Sequence, residues 1–302
     1  MQNINEYQHI RLKKFSLNEN NIIFCNSDDI DTLFALLKKS KFKNIQLITH
    51  QSDRSITKKI YNKKPSCISK WYAINIAEDS DSLISIPLGL ANLHPKNINL
   101  NNFKNLTLSH DSYFHNSSKP SKLYLNFQIS TNYGVRAMLY KNFENKNWVV
   151  AHKPNEDIKN YSNNLKKYKY ILCPEGNGYD THRLWEALYS GSVPVLKHKK
   201  ALKYAEHLPI IFIKDYQHLN IENIDSVFEE LKKQSFNLEK LTFEYWSELI
   251  LDFGKIKNNN NELYFENKFI NFLESRNKKI KKFNSKFKII RYYFWKIRLK
   301  FI

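Results

Sequence analysis

Arg183 and Glu186 lie three residues apart in the run THRLWEAL, a spacing that puts a guanidinium and a carboxylate on one face of a helix. A guanidinium can grip a phosphate through two parallel N–H donors. A carboxylate beside it can accept hydrogen bonds from ribose or sugar hydroxyls. Just upstream, PEGNG sets Glu175 and Asn177 beside Gly176 and Gly178. The chain has only six glycines, and three of them, Gly176, Gly178 and Gly191, fall between Cys173 and Leu196. Glycines at such a place let backbone approach a ligand closely. The bland alternative is a turn followed by an ordinary surface ion pair contributing a few tenths of a kcal/mol. It accounts for each residue singly, but less well for all of them within one short stretch.

These side chains need a strand to deliver the loop and a helix to receive it. YILC (Tyr170 to Cys173) reads as the strand, and Thr181 to Ser190 as the helix, with Asp180 or Thr181 suited to cap it and Gly191 to end it in a left-handed turn. The N-terminus of that helix is a natural seat for phosphate. SVPVL (Ser192 to Leu196) and Ile210 to Ile213 read as the next strands. Upstream come a strand at Leu123 to Ile129, a helix from Val135 to Phe143, a strand at Trp148 to Ala151 and a short helix at Tyr161 to Tyr168. The N-terminal part repeats the alternation: strands at Ile22 to Phe24, Ile45 to Ile48 and Leu83 to Ile86, with a helix at Thr32 to Leu37. Phe228 to Phe272 reads as polar helix. Strand and helix alternating in this way predict an α/β chain with parallel sheets, whose ligand-facing loops follow the strand ends. Pro95 to Lys122, polar and without periodicity, reads as the crossing between two domains.

The set ThrHisArg-x-x-GluAlaLeu followed by GlySerValProVal resembles the donor-binding motif of exostosin-like glycosyltransferases. It is also similar to the fucosyltransferase pattern, with Tyr179, Thr181, Arg183, Leu184, Ala187 and Leu188 at the matching positions. His182 stands where that second family carries Glu, and Arg183 where it carries Lys, which favours the exostosin-like side. LYLNFQISTNYGVRAMLY resembles the first strand and helix of the same donor domain, with Arg136 at the position that reaches the donor phosphates. ITHQSD, KWYAINI and IPLGL add N-terminal likenesses, so the resemblance runs over residues 20–215. It implies a GT-B fold, two Rossmann-like domains facing a cleft. The implied boundaries are 1–118 for the acceptor domain, 119–272 for the donor domain and 273–302 for a basic tail. It further implies a nucleotide-sugar donor held by Arg136, Glu175, Asn177, Tyr179, Thr181, His182, Arg183 and Glu186, a glycan or glycolipid acceptor, and inversion at the transferred carbon.

Glycosyl transfer builds negative charge on the departing diphosphate, and arginines, helix dipole and backbone N–H groups can neutralise it with no metal or other cofactor. A general base must take the acceptor proton. His50 and Asp53, after a strand, are the first candidates, and Asp28 and Asp29 the second; a capped loop explains either pair without chemistry. Asp79 and Asp81 have the spacing of a metal-bound nucleotide site but sit in a polar loop, EDSDS.

The chain carries a net charge of +19, which calls for an anionic partner. Arg276 to Ile302 holds eleven basic residues and no acid, with Ile280, Phe283, Phe287, Ile290, Phe294, Ile297 and Phe301 at helical spacing. Such a helix suits an anionic membrane surface. Its rival role is docking on the protein itself. Nucleic acid is the lesser expectation, since no recognition motif accompanies the charge. The three cysteines are scattered, no signal-peptide core or membrane span is present, and a peripheral place on the cytoplasmic face of a membrane is expected. The second functional expectation is a non-catalytic protein that holds glycan or nucleic acid by charge.

Overall fold

Apolar alternation broken by polar loops yields two parallel sheets in the computed structural model, which describes residues 14–16, 22–78, 80–91, 109–115, 119–152, 158–252 and 262–264. The chain separates into two units, Met1–Ile86 with Trp246–Ile302, and Pro87–Tyr245. The boundaries expected from sequence, at 118 and 272, fall elsewhere, and the first unit is discontinuous.

After a short β1 (Lys14–Ser16), the first unit runs β2 (Ile22–Asn26), α1 (Ile30–Leu37), β3 (Ile45–His50), α2 (Lys58–Tyr61), β4 (Ile68–Ala73) and β5 (Leu83–Ser85). Strands β2 to β5 pair in sequence order, all parallel. Helix α1 buries Ile30, Leu33, Phe34 and Leu37 with Ile23, Leu47 and Trp71. The Trp71 ring meets Phe34 edge-on at 5.4 Å, and its buried Nε1–H donates to Thr49 Oγ1 at 2.9 Å. Burying indole without that partner would be costly.

The second unit begins with α3 (His110–Phe114). It continues through β6 (Leu123–Leu125), α4 (Tyr133–Phe143), β7 (Val149–Ala151), α5 (Ile158–Lys167), β8 (Tyr170–Leu172), α6 (His182–Tyr189), β9 (Val193–Lys197), β10 (Ile211–Ile213) and α7 (Ile221–Leu231). Its five strands are parallel in the order β10-β9-β8-β6-β7. From β6 the chain steps to one side for β7, then crosses to the other for β8, β9 and β10. The winding reverses between β6 and β8, and in such sheets ligands bind beyond the carboxyl ends at that reversal. The loops after β6 and β8 are the stretches holding Asn126 to Asn132 and Cys173 to Thr181.

Helix α8 (Phe243–Asp252) spans the division, and β11 (Glu262–Tyr264) pairs antiparallel with β1. Three expectations need correction. The strand expected to Ile129 ends at Leu125, because β7 and β8 supply no partner beyond it. Strand β4 was not anticipated. The continuous helix expected from Phe228 is broken: Leu231 ends α7, and Asn237 donates its N–H to His207 O at 3.0 Å before α8 begins. The expected amphipathic tail, 273–302, lies outside the described residues, as do much of the crossing segment and Asp79. Among the described residues no helix is long and apolar enough to cross a membrane.

Candidate functional site

The helix that carries the motif is fixed at its far end and left open at its near end. At the C-terminus, Gly191 takes φ 62, with its N–H on Leu188 O at 3.0 Å and the Ser192 N–H on Ala187 O at 3.1 Å. That is a complete Schellman closure, which needs the left-handed glycine. A side chain at Gly191 would also lie 3.1 Å from Ser112 O. Lys119 Nζ then donates to Ser190 O, Gly191 O and Ser192 Oγ at 3.0, 2.6 and 2.9 Å, and Tyr113 Oη donates to Leu188 O at 2.7 Å. At the N-terminus, Thr181 has extended cap geometry, but its side chain makes no cap bond. The Leu184 N–H turns back onto Thr181 O at 3.0 Å, which leaves the His182 and Arg183 N–H groups and the positive dipole end for a ligand.

Arg183 and Glu186, one turn apart on this helix, meet Tyr161 of α5. The guanidinium lies over the Tyr161 ring at 5.1 Å, and Tyr161 Oη donates to Glu186 Oε2 at 2.5 Å. Burial drives the Tyr161 phenol well above its ordinary range, so it stays a donor. Arg183 Nη1 is buried and has no hydrogen-bond partner. An orphaned guanidinium nitrogen costs free energy unless something not yet present accepts from it.

Arg136 behaves differently. Its Nε donates to Glu175 O at 3.1 Å, Nη1 to Gln128 O at 2.9 Å and Thr131 Oγ1 at 2.6 Å, and Nη2 to Pro174 O at 3.0 Å. It thus ties the loops after β6 and β8 together at the sheet's reversal. A methyl group on Gly176 would sit 3.0 Å from Nη2, so this glycine makes room for the guanidinium. The Glu175 carboxylate pairs with Lys199 at 3.1 Å, and the same ammonium lies over the Tyr179 ring at 5.7 Å. Asn177 is exposed at the loop tip.

His182 opens α6, with Nδ1 2.8 Å from Gly89 O. Asp180, expected as a cap, is instead a buried hub. It accepts from the Leu88 N–H at 2.8 Å, Tyr204 Oη at 2.6 Å and Trp185 Nε1 at 3.2 Å. Burial raises its carboxyl pKa against these donors. Sequence reasoning missed Tyr161, Lys119 and Lys199 and gave Asp180 the wrong task. The first three lie outside the motif. Only an acid placed between Tyr179 and Trp185 hinted at the fourth.

In the first unit, His50 ends β3, and its Nδ1 accepts the Gln51 N–H at 2.8 Å, with Gln51 at φ 61. A neutral ring so engaged carries its proton on Nε2. Asp53 is exposed in the following loop. Asp28 accepts from Ser52 Oγ at 2.6 Å, and Asn26, not Asp28, caps the short turn before α1. Arg54, unremarked in the sequence, bonds Asp31 at 2.6 Å and reaches Ser27 O and Asp28 O, so it braces this loop. Asp29 precedes α1 without a side-chain cap bond, and Asp81 is exposed. Among the described residues, His110, Asp111 and His115 bring ligand atoms within 4.8 Å of one another and could hold a divalent cation. They lie on and just after α3, not on the loops at the sheet's reversal. None of the three cysteines is in a disulfide, and Cys25 and Cys173 are buried.

With this geometry in view, comparison with known proteins is informative. Residues 113–246 match the family model described as the RXYLT1 C-terminal domain. A 63-residue stretch is 41% identical to a "probable glycosyltransferase" of Arabidopsis thaliana, covering 20% of this chain and 12% of that protein. A solved α1,3-fucosyltransferase aligns over 88% of this chain and 90% of its own at 14% identity, with a TM-score of 0.39. The likeness to a glycosyltransferase thus covers a part of the chain, and the family match overlies the unit that carries Arg136, Arg183 and Glu186.

Proposed function

We propose that this protein is an exostosin-like glycosyltransferase of GT-B architecture, which transfers a sugar from a nucleotide-sugar to a surface glycan or glycolipid. The observation that carries the reading is the buried, unpartnered Nη1 of Arg183 at an uncapped helix N-terminus beyond a sheet reversal. A diphosphate would satisfy that nitrogen and the first-turn N–H groups together. Glu186, with one oxygen held by Tyr161, offers the other to ribose or sugar hydroxyls. Arg136 acts by fixing the two loops, and Glu175, Asn177, Tyr179 and Thr181 shape the mouth of the site. As charge builds on the leaving diphosphate, the Arg183 guanidinium and the helix end stabilise it, with no metal needed for donor binding. Asp53 takes the acceptor proton with inversion, and His50 belongs to the acceptor-binding side. The protein works peripherally on the cytoplasmic face of a membrane through its basic tail.

The test is a thermal-shift and calorimetry screen of UDP, GDP, CDP, CMP and their common sugars, with EDTA present. One nucleotide should raise Tm, and Arg183→Ala should abolish the shift and the transfer while leaving the protein folded. Normal turnover in a folded Arg183→Ala protein sinks the assignment. Silence across the panel, with salt-sensitive polyanion binding, points to a non-catalytic binder instead.

A further inference from the structure

His182 makes a contact that holding a diphosphate does not require. Its Nδ1 lies 2.8 Å from Gly89 O. A carbonyl oxygen only accepts, so Nδ1 carries a proton, and of the two neutral tautomers only the one with its lone pair at Nε2 makes this contact. The carbonyl that sets this tautomer is itself built in. Gly89 takes φ 74, which favours glycine, and the preceding Leu88 N–H is held 2.8 Å from the buried Asp180 Oδ2. Tyr204 and Trp185 hold that carboxylate in turn. Among the described residues, Nε2 has no hydrogen-bond partner, and the side chain is half-buried. It belongs to the residue immediately before Arg183, at the open end of α6.

We propose that His182 Nε2 is a fixed, uncharged acceptor for a hydroxyl of the donor's sugar, and so a specificity-determining contact; this rests on the donor-site reading above. Arg183 offers only donors and is committed to anionic oxygens. Glu186 offers an acceptor but brings negative charge. An imidazole locked as the Nδ1–H tautomer accepts without repelling a diphosphate on the neighbouring helix end. The group it meets must therefore carry a hydrogen to donate, a hydroxyl or an amide N–H. A deoxy position there leaves Nε2 unmatched, and sites built to bond a hydroxyl discriminate against analogues that lack it.

The decisive variant is His182→Asn. Its amide N–H can still reach Gly89 O, but nothing replaces Nε2. UDP, GDP and CDP, and then UDP-glucose, UDP-N-acetylglucosamine, GDP-mannose and GDP-fucose, are titrated into wild type and variant by calorimetry, and turnover is measured with the sugar that transfers. Nucleoside diphosphate affinity should stay within twofold, while nucleotide-sugar affinity or kcat falls about 10- to 100-fold. Unchanged affinity and kcat/KM for the intact nucleotide-sugar overturn the proposal. An equal loss for the bare diphosphate also overturns it, since His182 would then only shape the helix end. If His182→Asn does not fold, His182→Ala, which also leaves no acceptor at the Nε2 position, is put through the same comparison under the same criteria. A wild-type chain that binds none of the nucleotides defeats the donor-site reading first, an outcome distinct from both.

Discussion

Arg136 and Arg183 show how one residue type takes opposite tasks. The first gives hydrogen bonds to Gln128 O, Thr131 Oγ1, Pro174 O and Glu175 O, whereas Nη1 of the second gives none. Lysine at 136 cannot reproduce a planar fork, and two or more carbonyls lose their donor. Arg136→Lys should therefore cost about 2–4 kcal/mol of stability, read by urea denaturation. Arg183→Ala loses a ring contact but also removes an unsatisfied buried nitrogen, so its stability should stay within about 1 kcal/mol of wild type while donor binding is lost. Equal destabilisation by both would make Arg183 a structural residue. Tyr161→Phe should lower donor affinity, because Glu186 loses the hydroxyl that orients it. The Arg183 and Glu186 pair was legible because helical spacing is local. Tyr161 was not, since it lies on a different helix and arrives only through the packing of α5 on α6.

At the scale of elements, α6 works because its C-terminal carbonyls are closed off. Lys119→Met would leave Ser190 O and Gly191 O without their donor, at a cost of about 1–3 kcal/mol. Burial lowers the Lys119 ammonium to about 8 from 10.5. Between those values the unfolded chain binds more protons than the folded one. This group's contribution therefore raises stability as pH climbs through the window, by at most about 1.4 kcal/mol per unit. Denaturation of wild type and Lys119→Met from pH 7.5 to 9.5 isolates it: the difference between them should widen with pH, and a constant difference would show no shifted lysine. Elements were legible where local pattern and tertiary pairing agree, as at β8, α6 and β9. Strand length was not, because LYLNFQI keeps alternating past the point where its neighbours stop. Nor was the break after α7, which has neither proline nor glycine and is held by Asn237 on the distant His207 O.

For the whole molecule, two features of the chain bear on where it works: a first unit completed by its C-terminal segment, and a charge concentrated in that segment. Eleven of the basic residues behind the net +19 lie in Arg276 to Ile302, where no acid offsets them. Near an anionic surface each such residue contributes about 1 kcal/mol, screened within a Debye length of about 10 Å at 0.1 M salt. Wild type should therefore sediment with phosphatidylserine vesicles at low salt, and release as ionic strength rises, while ignoring phosphatidylcholine. Deleting 276–302 should remove the binding and leave the nucleotide-induced Tm shift in place. Because Trp246–Ile302 belongs to the first unit, deletion alone risks confusing lost charge with lost fold. Replacing Lys278, Lys279, Lys281, Lys282, Lys286 and Lys288 with Gln keeps the chain length and apolar residues and takes away most of the charge. If that variant is folded and still binds phosphatidylserine as wild type does, the tail does not address the membrane by charge, and its apolar residues serve the first unit instead.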